Sequence, residues 1–245
     1  MSEQQVAVVT GGAGNIGLAI ATVLLEHGHS VVIADRDEQA VARLSAQPPG
    51  DPSRLRCVTA DIGTEDGAQR AVQSAVEGFG RIDLLCNNAG IRHLAPFLEL
   101  EPEKLEESFR VNVWGIYYCS RAALPHMLQQ GRGSVVNIAS ISGLAGYVRG
   151  SAYAASKAAA VMLTRVMALE FAPRGVRVNC ICPGNIAREE PPPPADTRAI
   201  PVGRAGRGRE VGELVVYLMS DAAAFMTGSV LTLDGGITAG RQPPG

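Results

Sequence analysis

Apolar positions along the chain fall into short unbroken runs separated by longer stretches with helical periodicity. The runs Val6–Thr10, Ser30–Ala34, Leu55–Thr59, Ile82–Cys86, Ser134–Ile138, Val176–Ile181 and Val230–Leu233 are rich in β-branched and aliphatic residues and predict strands. Apolar residues spaced three and four apart predict helices over Ile16–His27, Glu65–Gly78, Glu103–Ser120, Ala122–Gln130, Ala152–Phe171 and Gly212–Ser220. Strands that are apolar on both faces and alternate with helices imply an α/β fold, a parallel sheet covered on both sides. No shift in composition divides the chain, so residues 1–245 read as a single domain. The one biased segment, Ala187–Pro201 with Pro191 to Pro194, reads as a loop.

Between the first strand and the first helix lies Thr10-Gly-Gly-Ala-Gly-Asn-Ile-Gly17, with Gly12, Gly14 and Gly17 in G-x-G-x-x-G spacing. Glycines there allow a tight turn and a close backbone approach to a pyrophosphate, and a helix N-terminus adds amide donors and partial positive charge. The motif alone is weak, but its strand–turn–helix setting is the context it requires. Asp35 closes the second strand, 18 residues beyond Gly17. A carboxylate there accepts from ribose hydroxyls and repels a 2′-phosphate, which favours NAD over NADP. The plainer reading of Asp35 is a cap for a helix beginning near Asp37. Arg36 can pair with a phosphate or lie over the adenine. Asn87-Asn-Ala-Gly90 closes the fourth strand and reads as architecture rather than chemistry.

The stretch from Ser140 to Lys157 carries the candidate catalytic groups. Tyr153 and Lys157 are four residues apart in an alanine-rich helical segment, which puts both on one face a turn apart. An ammonium beside a phenol favours the phenolate, so Lys157 is expected to lower the Tyr153 pKa and fit it for proton exchange. Ser140 follows an apolar run, where a strand ends and site loops begin, and its hydroxyl can donate to the same substrate oxygen. Taken singly, such a pair is more often a surface pair and such a serine a turn residue.

Composition narrows the function. A net charge of −2 gives no electrostatic footprint for nucleic acid or an anionic membrane, and 46% hydrophobic residues supply a sizeable core. The start, Met-Ser-Glu-Gln-Gln, lacks the basic and apolar regions of a signal peptide, so a cytoplasmic protein is expected. Cys57, Cys86, Cys119, Cys180 and Cys182 read as buried free thiols, and His27, His29, His93 and His126 have no ligand spacing, so no metal site is expected.

Together these residues resemble the short-chain dehydrogenase/reductase family over essentially the whole chain. The resemblance rests on Thr10–Gly17, Asp61 after the third strand, Asn87–Gly90, Asn112, the Ser140…Tyr153-x-x-x-Lys157 set, Pro183-Gly184 and Asp234-Gly-Gly. It implies a doubly wound sheet of order 3-2-1-4-5-6-7 and hydride transfer between nicotinamide C4 and a carbinol or carbonyl carbon. It implies that Tyr153 is the acid–base group and that Ser140 polarises the substrate oxygen. Lys157 would bind the nicotinamide ribose and lower the tyrosine pKa, and Asn112 would hold a water of a proton relay. Cofactor contacts are implied at Gly11, Gly14, Asn15, Ile16, Gly17, Asp35, Arg36, Asp61, Ile62, Asn88, Ala89, Gly90, Pro183, Gly184 and Ile186, besides Tyr153 and Lys157. Asp61 and Ile62 would flank the adenine, and Ile186 the carboxamide.

The chain departs from that pattern in two places. Asn15 stands where the glycine turn usually has its middle glycine, a substitution expected to survive because asparagine tolerates left-handed backbone angles. Arg188 stands where a threonine commonly meets the carboxamide. A lid over the substrate is expected at about residues 186–205, stiffened by the four prolines, with Glu189 and Glu190 as solvated loop charges. Arg92, His93, Arg149 and Arg188 fall near the expected substrate pocket and offer an anion site, though surface arginines are common. Trp114, Tyr117 and Tyr118 read as core or subunit contact.

The expectation is an NAD-dependent alcohol dehydrogenase or ketoreductase acting on a secondary alcohol/ketone pair. Its rivals are an NADPH-preferring carbonyl or 3-oxoacyl-type reductase and a non-catalytic dinucleotide-binding sensor. The resemblance implies a homotetramer or homodimer formed through the helices around 103–130 and 152–171.

Overall fold

The computed structural model describes residues 4–188 and 200–240. Its strands are β1 (Val6–Thr10), β2 (Ser30–Asp35), β3 (Leu55–Thr59), β4 (Leu84–Asn87), β5 (Gly133–Ile138), β6 (Val176–Pro183) and β7 (Val230–Leu233). They form one parallel sheet in the order β3-β2-β1-β4-β5-β6-β7. All five residues of β1 are buried, because successive side chains point to opposite faces and helices cover both. Ala7 and Val9 pack against Ile20, Leu24, Val211 and Val215 on one face. Val6 and Val8 meet Ala71, Val72, Cys119 and Leu124 on the other.

The helices are α1 (Asn15–Glu26), α2 (Glu38–Ala46), α3 (Glu65–Phe79), α4 (Pro102–Phe109), α5 (Gly115–Gln130), α6 (Ser151–Phe171) and α7 (Gly208–Met219). The strand order reverses between β1 and β4, and the crevice at their carboxyl ends is where an open α/β sheet receives ligand.

Strand ends differ from the sequence expectation by at most two residues, and three helical regions differ by more. Helix α7 begins at Gly208 rather than Gly212, because both glycines lie against α1. A Cβ at Gly208 would come 2.6 Å from the Ala19 Cβ, and one at Gly212 2.9 Å from the Val23 Cβ. The long helix expected over Glu103–Ser120 is interrupted by a π-turn at Arg110–Trp114, whereas no break falls between Ser120 and Ala122. Helix α2 buries only Ala40 and Val41, so it carried little periodic signal. Its cap is Asp37, which accepts from the Ala40 amide at 2.9 Å.

A chain of buried side-chain hydrogen bonds fixes α6 to the sheet. Asn87 on β4 donates to Asn137 on β5 at 2.8 Å, and Asn137 donates to Thr164 on α6, also at 2.8 Å. Thr164 in turn donates to the Ala160 carbonyl at 2.9 Å. Buried amides of this kind add little when satisfied and cost much when one partner is lost. The substitution Asn137→Leu, which strands the Asn87 N–H, is expected to lower unfolding stability by about 2 kcal/mol in urea titrations. An unchanged midpoint would show that the amide chain is dispensable.

Candidate active site

The cleft is built first by backbone. Gly11 has φ +60°, a left-handed conformation that glycine adopts freely, and a Cβ there would lie 2.7 Å from the Ala89 Cα. Gly17 lies against the Gly11 carbonyl and the Asn88 side chain with no room for a Cβ. Thr10 Oγ1 accepts from the Asn88 and Ala89 amides at 3.1 Å each. Asn88 Nδ2 donates back to the Thr10 and Gly11 carbonyls at 3.0 and 3.1 Å. These bonds tie Asn88 and Ala89 to the end of β1, while Asn88, Ala89 and Gly90 also line the cleft.

The N-terminus of α1 has neither a side-chain cap nor an acidic residue in its first turn, whereas α2 and α3 are capped by Asp37 and Thr64. Its amides face a cleft of about 670 Å³ lined by Gly11, Gly14, Asn15, Ile16 and Gly17. Uncapped amides at a glycine turn fit the pyrophosphate of a dinucleotide. Asn15 is the first helical residue and has no positive φ, so the left-handed tolerance expected of it is not used. Its side chain donates to the Ala187 carbonyl at 2.7 Å and ties the turn to the base of the expected lid. Asp35 Oδ2 accepts from the Ala13 amide at 3.0 Å and Oδ1 from the Asp37 amide at 3.1 Å. The Asp35 carboxylate is thereby fixed at the edge of the cleft beside Arg36, Ala60, Asp61 and Ile62. Burial works to raise the Asp61 pKa, but the Arg110 guanidinium at 2.9 Å and the Gly63 amide hold it low.

Further along the same cleft lie Ser140, Tyr153 and Lys157, with Gly90, Pro183, Gly184 and Ile186. Ser140 lies two residues past the end of β5 and accepts from the Ser142 amide at 3.1 Å, which turns the chain. Tyr153 and Lys157 occupy the first two turns of α6. Lys157 is only 4% exposed; its ammonium donates to the Ile138 carbonyl at 2.8 Å and stands 5.8 Å from the Tyr153 ring centroid. Asn112 does not line the cleft but lies behind it, at the π-turn. Both of its N–H donors are spent, on the Ile91 carbonyl at 3.0 Å and Ser156 Oγ at 2.9 Å, and its oxygen accepts from the Ile91 amide at 2.8 Å.

Burial pulls the Lys157 ammonium down from 10.5 to about 8. Burial also raises the Tyr153 phenol above its ordinary value, opposed by a hydrogen bond with Ser140 and by the charge of Arg92. The expected depression of Tyr153 by Lys157 is therefore not met here. The ammonium is engaged with a carbonyl and is itself costly to charge, so desolvation outweighs it. Behind the site, Cys180 and Cys182 are buried free thiols with sulfurs 3.9 Å apart.

Of the four cations expected around the substrate, Arg92 and Arg188 line the cleft. His93 is turned to Glu107, 3.0 Å away, and Arg149 contributes its carbonyl, which accepts from the Ala95 amide at 3.0 Å. The four prolines and Glu189 and Glu190 lie outside the described residues. Sequence reasoning missed Ile138, which acts through its carbonyl and leaves no side-chain signal, and Val111 and Asn185, whose residue types carry none.

A sequence profile of the family described as short chain dehydrogenase matches residues 5–190. The chain is 40% identical over 245 residues to cis-4-hydroxycyclohexanecarboxylate dehydrogenase of Sinomonas cyclohexanicum, covering 96% of this chain and 97% of that one. It is 35% identical to 2-(S)-hydroxypropyl-CoM dehydrogenase 3 of Xanthobacter autotrophicus, covering 97% and 98% of the two chains. The solved structure of ElxO with NADP bound superposes with a TM-score of 0.90 at 27% identity, over 97% of this chain and 100% of that one. The chain belongs to the short chain dehydrogenases.

The Lys157 shift fixes the sign of a pH dependence. Below pH 8 both folded and unfolded chains carry the charge and its burial cost is fully present. Between about 8 and 10.5 the unfolded chain keeps a proton that the folded chain has released, so this lysine makes stability rise with pH. Relative to Lys157→Met, the wild type is expected to gain about 2 kcal/mol between pH 7.5 and 10, read from denaturant midpoints. Cys86 and Cys119, shifted by burial alone, titrate alike in both proteins and cancel, whereas Cys182, which Lys157 helps to hold low, is part of the difference. Parallel curves would show that the ammonium is not desolvated.

Proposed function

We propose that this short chain dehydrogenase is an NAD-dependent enzyme interconverting a secondary alcohol and a ketone. The observation that carries the proposal is the convergence of the Ser140 hydroxyl, the Tyr153 phenol and the buried Lys157 on the cleft that opens at the uncapped N-terminus of α1. The named activities of relatives, a hydroxycyclohexanecarboxylate dehydrogenase and a 3β-hydroxysteroid dehydrogenase among them, support the reaction class.

When bound, the nicotinamide supplies the hydride acceptor or donor. The chain does the rest. Ser140 holds the substrate oxygen, and Tyr153 takes its proton in oxidation or returns it in reduction. Lys157 holds the ribose hydroxyls and the positive charge beside the phenol. Asn112 is assigned a positioning role, latching the loop after β4 to α6. Gly11, Gly14, Ile16 and Gly17 cradle the pyrophosphate, Asn88–Gly90 floor the site, and Asp61 with Ile62 flanks the adenine. Pro183, Gly184 and Ile186 cover the nicotinamide side.

Asp35 supports NAD, since its fixed carboxylate would face a 2′-phosphate as a like charge. Arg36 beside it, and the NADP-bound neighbour, favour the second reading, an NADPH-preferring reductase. The proposal extends to a cytoplasmic homotetramer or homodimer. Exposed Trp114 at the start of α5 and Tyr117 on it, and Met162, Val166 and Leu169 on α6, are suited to subunit contact. A monomer in light scattering would remove that part of it.

Nicotinamide absorbance against a panel of secondary alcohols and ketones, with NAD(H) and NADP(H) in parallel, tests the reading. In Tyr153→Phe turnover is expected to fall about a thousandfold while NADH binding changes less than about twofold. Retained turnover would reject the acid–base role. Asp35 also anchors the Ala13 amide, so Asp35→Ala is expected to weaken both dinucleotides. The decisive quantity is the ratio of NAD to NADP affinity, which should fall about tenfold. An unchanged ratio would remove the basis for the cofactor choice.

A further inference from the structure

We infer that the substrate carries an anionic group, a carboxylate or its chemical equivalent, held by Arg92 with Arg188 as a second cation. The inference rests on the cleft being the alcohol/ketone site just proposed. Its ground is a charge imbalance along that cleft. The acids among its lining residues, Asp35 and Asp61, lie at the end where the glycine turn and β2 meet. Asp35 is held there by two backbone amides and Asp61 by Arg110. Arg92 lies at the other end, close enough to Tyr153 for its charge to favour the phenolate.

Among the described residues neither Arg92 nor Arg188 pairs with a carboxylate. Some arginines elsewhere do, Arg54 with Asp51, Arg110 with Asp61 and Arg204 with Glu210, while Arg36, at the acid-bearing end of the cleft, makes no ion pair among those residues but stands beside Asp35 and Asp61. Glu107, which meets the adjacent residue His93, is also engaged by Lys104. A guanidinium beside the reacting oxygen with no counter-charge among the described residues suits a ligand carboxylate, which it can meet with two parallel N–H donors.

The surrounding loops limit the rest of the ligand. The Arg149 carbonyl accepts from the Ala95 amide at 3.0 Å and so ties the loop after β4 to the loop before α6. Arg149 adopts φ +70° at this tie, a costly conformation for a non-glycine residue. The tied loops expose Leu94, Leu144, Tyr147 and Val148, and Tyr147 acts electrostatically on Tyr153. One cationic end with exposed apolar side chains on the adjoining loops fits a hydroxy or oxo acid with an apolar body.

The first test needs no hydride transfer. Titration calorimetry of hexanoate and hexanamide, which share a chain and differ in charge, is carried out on the wild type, Arg92→Gln and Arg92→Gln/Arg188→Gln. Hexanoate is expected to bind wild type at least about tenfold more tightly than hexanamide, and the preference to vanish in the double variant. Equal binding in the wild type, or a preference that survives in the double variant, overturns the inference and leaves the oxidoreductase reading standing. So does a loss of NADH affinity in Arg92→Gln as large as its loss of hexanoate affinity, which would give the arginine to the dinucleotide. In turnover, the ratio of kcat/KM for 3-hydroxyhexanoate to that for its methyl ester should fall at least about tenfold in Arg92→Gln, mainly through KM.

Discussion

A buried ammonium organises this protein. Lys157 is held out of water against the Ile138 carbonyl, and everything around that contact keeps it there. The carbonyl is available because β5 ends at Ile138 and the chain turns away at Ser140. The lysine reaches it because α6 is anchored about two turns further on, where Thr164 meets Asn137. Gly90 leaves room, since a Cβ there would stand 3.1 Å from Nζ. Asn112 spends its donors clamping Ile91 to Ser156, one residue before the lysine. Two strand ends, a π-turn and a helix start are thus tied to one costly charge, and such a charge is kept where its neighbours over-determine it.

The same logic runs along the cleft. At one end stand the amides of an uncapped helix and a carboxylate held by backbone donors. At the other stand cations that, among the described residues, find no acid. Only Lys157 between them is deeply buried, so only its charge is strongly perturbed by desolvation. Exposed arginines keep their charge cheaply, which suits capture of a charged ligand, while a lysine of lowered pKa suits proton traffic.

What the sequence disclosed follows from how local each feature is. Apolar runs disclosed the strands, because a strand covered on both faces must be apolar throughout. The glycine turn, Asp35 and the Tyr153–Lys157 spacing are set within a few residues, and the cleft brings all of them together. The π-turn at Arg110–Trp114 was not legible: it accompanies bonds from Asn112 to Ile91 and Ser156, distant in sequence, and no proline or glycine lies within it. Asn137 looked like one polar residue in an apolar strand until its partners on β4 and α6 were known. Asn15 was read for its backbone tolerance and proved to matter through its side chain, which reaches Ala187 across the cleft. The Tyr153 pKa depends on burial, and spacing carries no information about burial.

That last difference bears on the direction of the proposed reaction. A phenol raised by burial is protonated at neutral pH, ready to give its proton to a developing alkoxide, whereas alcohol oxidation needs the phenolate. The opposing influences are the Ser140 hydrogen bond and the Arg92 charge. An anion bound to Arg92 would cancel the second of these and leave the phenol still more firmly protonated. Substrate capture and acid–base chemistry are then not independent: an acid that pairs with Arg92 tunes Tyr153 toward the proton-donating role as it binds. On this reading the chain is better poised near neutrality to reduce an oxo acid than to oxidise the corresponding hydroxy acid. Oxidation would gain as rising pH removes the proton from the phenol.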